Sequence, residues 1–371
     1  MTTRASWRAK LLLALVASVV CAELGVRIYE AATGKSFAVD LAASLDLSDI
    51  LFQPHPYIGF DLRPGAKSPP NQPQFSVNSL GFRGAEFDDL PAPRTLRIAC
   101  LGGSTVWGTG CSGDDATWPA VLERALSQAL PDDGPYDRVE VINAGVSGFT
   151  IMESFIHFKM RVLPHEPTVV IVYHGINDAR VIGRNTFRPD YTHVRHPWQV
   201  PTPRGSDILF GWSHFYGLLR GGKQALPDLF DLVYVENFEG APIQENIEAG
   251  VQNYRRTLNE LIAIARVNGC EPILSTFTYT QQLPLKKDWM VWYGFRGVDR
   301  INQATVELAD FQNALVVDIH GDLGDDPSLF VDPVHLSDEG NRRIARAFGR
   351  QIVDAGLLSR PLDVRPVRLP D

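Results

Sequence analysis

One serine held between small residues opens the chemical inventory of this chain. It is Ser104, in Gly102-Gly103-Ser104-Thr105-Val106-Trp107-Gly108. Glycines after an apolar run let the backbone bend and let a ligand approach, so the hydroxyl can be presented rather than packed away. Near the other end stands Asp332-Pro333-Val334-His335-Leu336. A carboxylate three residues before a histidine can reach the ring across one turn, and Pro333 stiffens the link. Such a carboxylate fixes the imidazole tautomer and stabilises the imidazolium formed when the ring takes a hydroxyl proton. With Ser104 the pair completes a nucleophile, base and orienter. Two further segments supply donors. Asn177, in Gly175-Ile176-Asn177-Asp178, carries an amide of the kind that stabilises an oxyanion. Asn143-Ala144-Gly145-Val146-Ser147-Gly148 offers unobstructed backbone N–H groups at Gly145 and Gly148, and the residues alone do not choose between them.

Each segment by itself also has a plainer reading: a turn, a helix cap, a surface ion pair or a metal ligand. A phosphate cradle at Gly102–Gly108 is excluded, because no Gly-Lys-Ser/Thr follows. Position along the chain carries more weight. Thr95–Leu101, Val139–Ile142, Thr168–His174, Glu271–Phe277 and Ala314–Ile319 read as five buried strands, TVVIVYH being the clearest. Helical stretches are expected at Trp118–Leu130, Ile151–Leu163, Asn246–Asn268 and Val298–Asn313. A last helix runs to about Ala355 from an N-cap at Ser337. The alternation predicts a mainly parallel five-stranded sheet with helices on both faces. Ligands bind beyond the carboxyl ends of such strands, and the suggestive residues fall just after strands.

The alternation is interrupted at residues 179–245, an aromatic-rich, Pro-punctuated insert of the kind that forms lids and binding segments. Trp198, Trp212 and Phe215 are its candidate pocket-wall residues, with packing of the insert onto the sheet as the alternative. Residues 35–94 are a Pro-rich extension of short strands or irregular chain, 95–358 the main domain and 359–371 a frayed Pro/Arg tail. His174 either lines a pocket or is structural. His193 and His196, three apart in the insert, are not read as a metal site.

The composition, 44% hydrophobic and 21% charged over 371 residues, is that of one large or two medium globular domains. A net charge of −8 without basic runs argues against nucleic-acid binding. Four cysteines rule out a disulfide-built fold and supply no zinc motif; Cys100 and Cys111 flank the Ser104 loop, and a buried free thiol at Cys100, inside an apolar strand, is preferred to their pairing. At the N-terminus, Arg4, Arg8 and Lys10 precede an apolar run from Leu11 to Ala22, the pattern of an export signal or membrane anchor within residues 1–34. Glu23 and Arg27 make a poor span of that run, so cleavage and anchoring both stay open.

Together the blocks GGSTVWG, NAGVSG, GIND and DPVH resemble the SGNH, or GDSL-type, hydrolases over roughly residues 95–355. The resemblance implies a three-layer α/β/α, flavodoxin-like sandwich and a serine esterase acting on O-acyl esters of a glycan, lipid or small alcohol. It implies Ser104 as nucleophile, His335 as base and Asp332 as its orienter. The oxyanion donors would be the N–H groups of Ser104 and Gly148 and the Asn177 side chain; no metal or cofactor is required. One departure is visible: the family's Asp before the serine is Gly103 here, which bears on loop rigidity and substrate preference. An exported O-acyltransferase would use the same residues, and a silent glycan- or lipid-binding module would only retain them.

Overall fold

The structure is a computed structural model that describes residues 7–37, 51–68, 74–194, 205–219, 244–284, 294–362 and 364–368. The chain divides into two compact units, one of residues 1–48 and 199–232, the other of residues 49–198 and 233–371.

The larger unit begins with a hairpin, β1 (Phe52–His55) paired antiparallel to β2 (Gly59–Leu62). Its sheet then follows: β3 (Thr95–Gly102), β4 (Arg138–Gly145), β5 (Val169–Tyr173), β6 (Glu271–Ser275) and β7 (Leu315–Val317), all neighbours parallel, in the spatial order β4-β3-β5-β6-β7. Every residue of β3, β5 and β6 is buried, which is why these runs read as continuously apolar rather than alternating. The helices, in chain order, are α1 (Ser104–Trp107), α2 (Trp118–Gln128), α3 (Ile151–His157), α4 (Ile176–Ile182), α5 (Gln244–Val267), α6 (Arg296–Gln312), α7 (Ile319–Leu323) and α8 (Asp338–Asp354). Helices α2 and α8 pack together, with Trp118 and Phe348 stacked at 5.0 Å. Helices α3 to α6 pack among themselves on the other side. This is the α/β/α sandwich, with a doubly wound strand order that opens a crevice where β4 and β5 diverge from β3.

Local chemistry sets the helix starts. Thr150 and Glu153 form a reciprocal capping box on α3, and Ser337 caps α8 by accepting the Gly340 N–H. Helix α3 continues through a π-helical turn, Phe158–Val162, before Pro164.

Three expectations change. The insert does not begin at Ala179: α4 runs to Ile182 and its residues from Asp178 onward are buried, so the first turn of the supposed loop is core. From residue 51 on, the described part of the Pro-rich extension belongs to the larger unit and contributes to its core, with Phe60, Leu62 and Phe82 fully buried. Within the tail, residues 364–368 are tied down, because Arg368 donates to the Phe311 carbonyl at the end of α6 and the Arg365 N–H to Glu271. Basic groups at a helix C-terminus complement its dipole. All four cysteines are free, with Cys100 and Cys111 buried.

The smaller unit holds a helix at Trp7–Thr33 and two short ones, Gly205–Phe210 and His214–Leu219. The first is long and apolar enough to cross a membrane.

Candidate active site

The chain reaches Ser104 through a crowded strand end. A Cβ at Gly102 would collide with the Tyr173 carbonyl oxygen, so only glycine fits. Ser104 then opens α1, a single turn closed by Gly108 with φ 96°, whose N–H bonds to the Ser104 carbonyl at 2.9 Å. Arg83, from the Pro-rich extension, braces the far end of that turn. Its Nη1 donates to the carbonyls of Trp107 (2.5 Å) and Gly108 (3.2 Å), and its Nε pairs with Asp114 at 2.8 Å. The guanidinium also covers the Trp107 ring at 4.6 Å. Nothing in the sequence around Arg83 announces this; the contact spans 24 residues and a change of layer.

The Asp332–His335 segment folds into a small closed loop. The Val331 N–H donates to the His335 carbonyl, and the Pro333 carbonyl accepts from Thr280 on the loop after β6. Asp332 Oδ1 accepts the backbone N–H groups of Val334 (3.0 Å) and His335 (2.9 Å), which leaves Oδ2 for His335 Nδ1 at 2.8 Å. Burial alone would raise the Asp332 pKa. The hydrogen bond and charge of His335, with the two amides, outweigh it and hold the carboxyl down at about 2. On the other side of the ring, Nε2 lies 2.8 Å from Ser104 Oγ. Three residues from two ends of the chain thus form one continuous line of hydrogen bonds. Their side chains are only partly covered, near 20% exposed for His335 and Asp332.

Asn177 stands beside this line. Its Nδ2 donates to the Phe149 carbonyl at 3.0 Å, and a Cβ at Gly103 would approach that nitrogen to 2.5 Å. The glycine that replaces the family's usual aspartate is therefore where the Asn177 amide comes down onto the serine loop. Gly148 precedes Phe149 and has φ 87°, a backbone that favours glycine. Gly145 has a different duty: its N–H donates to Asn143 Oδ1, and it packs against the α1 turn.

A second line of the same three residue types lies deeper. His174 Nε2 is 2.8 Å from Ser154 Oγ, and its Nδ1 is 3.5 Å from Asp178 Oδ2, all three buried. Asp178 also accepts the Ile151 N–H at the start of α3 and faces the Tyr191 hydroxyl at 3.5 Å. His174 is thus structural, while Ser154 and Asp178 carried no signal of their own beyond proximity to a strand end.

In the insert, Tyr191 is buried and Phe187 packs on the core, whereas Trp212 is exposed. Trp198 and His196 lie outside the described residues. His193 contacts the Arg188 N–H and the Val181 carbonyl.

The family model described as "GDSL-like Lipase/Acylhydrolase family" matches residues 100–343, which include all four blocks. No curated protein matches the chain. Among solved structures it is similar to a putative lipolytic protein of the G-D-S-L family from Desulfitobacterium hafniense (16% identity, 69% of this chain and 99% of that one, TM-score 0.42). It is also similar to a lipase/acylhydrolase from Enterococcus faecalis (17%, 70% and 96%, 0.43) and an acetylxylan esterase from Geobacillus stearothermophilus (19%, 73% and 97%, 0.41). At such scores nothing about substrate follows from the overlaps. The family match covers about two thirds of the chain, and the chain belongs to the GDSL-like lipase/acylhydrolase family.

Proposed function

We propose that the protein is a serine esterase that cleaves O-acyl esters through an acyl-serine intermediate. The observation that carries this reading is the unbroken Ser104–His335–Asp332 line, with 2.8 Å at each junction. Ser104 Oγ attacks the ester carbonyl while His335 Nε2 takes its proton, and Asp332 holds Nδ1–H and offsets the imidazolium charge. The oxyanion receives the N–H groups of Ser104 and Gly148 and the second N–H of the Asn177 amide, the first being engaged with Phe149. The choice of Gly148 over Gly145, whose N–H serves Asn143, follows the family pattern. Collapse of the tetrahedral adduct expels the alcohol, which takes the proton back from His335. Water then attacks the acyl-serine by the same route in reverse order, releasing the acid. The three basic residues before the apolar run that starts at Leu11 support a catalytic unit placed outside the cytoplasmic membrane.

A fluorophosphonate probe tests the reading, together with p-nitrophenyl esters of graded chain length. The wild-type protein should be labelled on Ser104 and turn over at least the short esters, and Ser104→Ala should do neither. Labelling that persists in Ser104→Ala, or a wild type inert to both reagents, refutes the proposal.

A further inference from the structure

The N-terminal helix and the two short helices of the insert answer a question left by the sequence. Trp7–Thr33 is 27 residues long, and its best 18-residue stretch has a mean hydropathy of 2.2. At 1.5 Å per residue it measures roughly 40 Å, against a hydrocarbon core of about 30 Å. Its surface has almost no protein cover: Val26 is its one buried residue, and Leu11, Leu13, Leu15 and Ile28 are all exposed. Exposed aromatic residues mark both ends, Trp7 and Tyr29. Their spacing corresponds to roughly 33 Å along the axis, the separation of the two interfacial belts of a bilayer. Arg8 and Lys10 lie at the first of these ends.

The obstacle is Glu23, one and a half turns inside the second belt. An unmet carboxylate at that depth strongly disfavours insertion of the helix. In this structure it is fully met. Its oxygens accept from Ser213 Oγ (2.8 Å), the His214 N–H (3.1 Å) and the Phe215 N–H (2.9 Å), and Arg27 Nε pairs with it at 2.8 Å. Two turns further on, Glu30 holds His214 Nδ1 at 2.6 Å. The segment that supplies these donors is itself apolar outside, with Leu209, Phe210, Trp212 and Leu219 exposed. Two of its polar groups are met within the segment, Trp212 Nε1 by the Leu209 carbonyl and Tyr216 Oη by Ser206. Polar atoms turned inward and apolar side chains turned outward are what a lipid environment requires.

We propose that Trp7–Thr33 is retained as a membrane-spanning helix and that residues 205–219 are its intramolecular partner, dipping into the outer leaflet to satisfy Glu23, with the apolar side chains of both facing lipid. A leader destined for cleavage near Cys21 would carry its apolar run away. That would leave Ser213, His214 and Phe215 built around a carboxylate at a new chain end, beside an uncovered apolar hairpin. The inference is independent of the ester chemistry.

The full-length protein, expressed and isolated with its membranes, decides the matter. Its N-terminal peptides through Thr33 should be recovered by mass spectrometry, and the chain should resist carbonate extraction; a mature chain starting at or after Ala22 overturns the proposal. In a Cys21→Ser background, single cysteines at Leu209→Cys and Leu219→Cys are labelled with a polarity-sensitive fluorophore in reconstituted vesicles. Val267→Cys, 81% exposed in the larger unit, serves as the aqueous reference. Both insert labels should emit blue-shifted light that lipids with spin-labelled acyl chains quench. Emission as red as at 267 overturns lipid contact, and so does a blue shift that lipid quenchers leave unchanged, which would mean a second protein chain covers the face. Glu23→Ala should leave the chain in the membrane yet return both labels to the aqueous spectrum, with Glu23→Gln intermediate. Labels unaffected by Glu23→Ala would refute the role assigned to that carboxylate.

Discussion

Two Ser–His–Asp lines stand in the larger unit, wired alike and placed differently. In both, Nε2 of the histidine meets a serine at 2.8 Å and Nδ1 faces a carboxylate, at 2.8 Å in the Ser104 line and 3.5 Å in the Ser154 line. Ser104 heads a one-turn helix after a strand, between glycines, with Asn177 against the same loop. Ser154 projects from the middle of α3 into the core, and neither it nor Asp178 has any exposed surface. An ester cannot reach it. The carboxylates differ as well. Asp332 gives one oxygen to its own loop and one to its histidine, whereas Asp178 accepts the Ile151 N–H at the start of α3, the element that follows Gly148. Residue types and bond lengths therefore do not make a triad; access and adjacent oxyanion donors do. The buried line reads as a clamp between the second and third sequence blocks.

The largest contrast comes from removing the exposed serine. Ser104→Ala should lower kcat on the order of a million-fold, and His335→Ala comparably, while Asp332→Asn should cost roughly ten-thousand-fold. Asp332, held at about 2, stays charged through the neutral and mildly acid range, so activity lost on acidification to pH 5 does not arise from its titration. Its depressed pKa stabilises the fold above the ordinary carboxylate value near 4, and that contribution is lost as pH falls toward 2. Full turnover in Ser104→Ala would end the distinction between the two lines.

How much of this was legible depends on distance along the chain. Asp332 and His335 are three apart, so their pairing is local, and the strand-then-motif rhythm brought Ser104 to the same sheet edge from 231 residues away. The parallel sheet was legible because fully buried strands have no alternation to misread. Contacts between side chains of different layers were not: Arg83 on the α1 carbonyls, Asn177 on Phe149, Asp178 on Ile151 and Glu23 on Ser213 each join segments whose own patterns specify only burial or turn.

The oxyanion side gives the next effect. Asn177→Ala should reduce kcat by roughly a hundred- to a thousand-fold with little change in KM. Because Asn177 also donates to Phe149, its melting temperature must be followed in parallel. Unfolding at assay temperature with unchanged kcat below it would make Asn177 only a brace. Gly103→Ala should act through the same amide, since the new methyl would press on Asn177 Nδ2 and displace it, at a cost of about ten- to a hundred-fold in kcat. In an Asn177→Ala background the glycine substitution should cost little more, and additive losses would separate the two sites.

The smallest effect on rate, and the sharpest test of the comparison, belongs to Ser154→Ala. The substitution deletes the hydroxyl that meets His174 Nε2 and leaves that nitrogen in a buried site without the serine. An orphaned buried polar group costs about 1–3 kcal/mol, so the melting temperature should fall by a few degrees. The clamp keeps its other half, because Asp178 still accepts the Ile151 N–H and α3 retains its Thr150–Glu153 capping box. The loop carrying Gly148 should therefore hold its place, and kcat and KM at a temperature well below melting should stay near those of wild type. Labelling by a fluorophosphonate should be as fast as in wild type and confined to Ser104. A fall in kcat approaching that of Ser104→Ala, in a protein that remains folded, would mean that the buried serine takes part in the chemistry after all. A fall confined to kcat and of Asn177→Ala size would instead mean that the clamp sets the oxyanion donors.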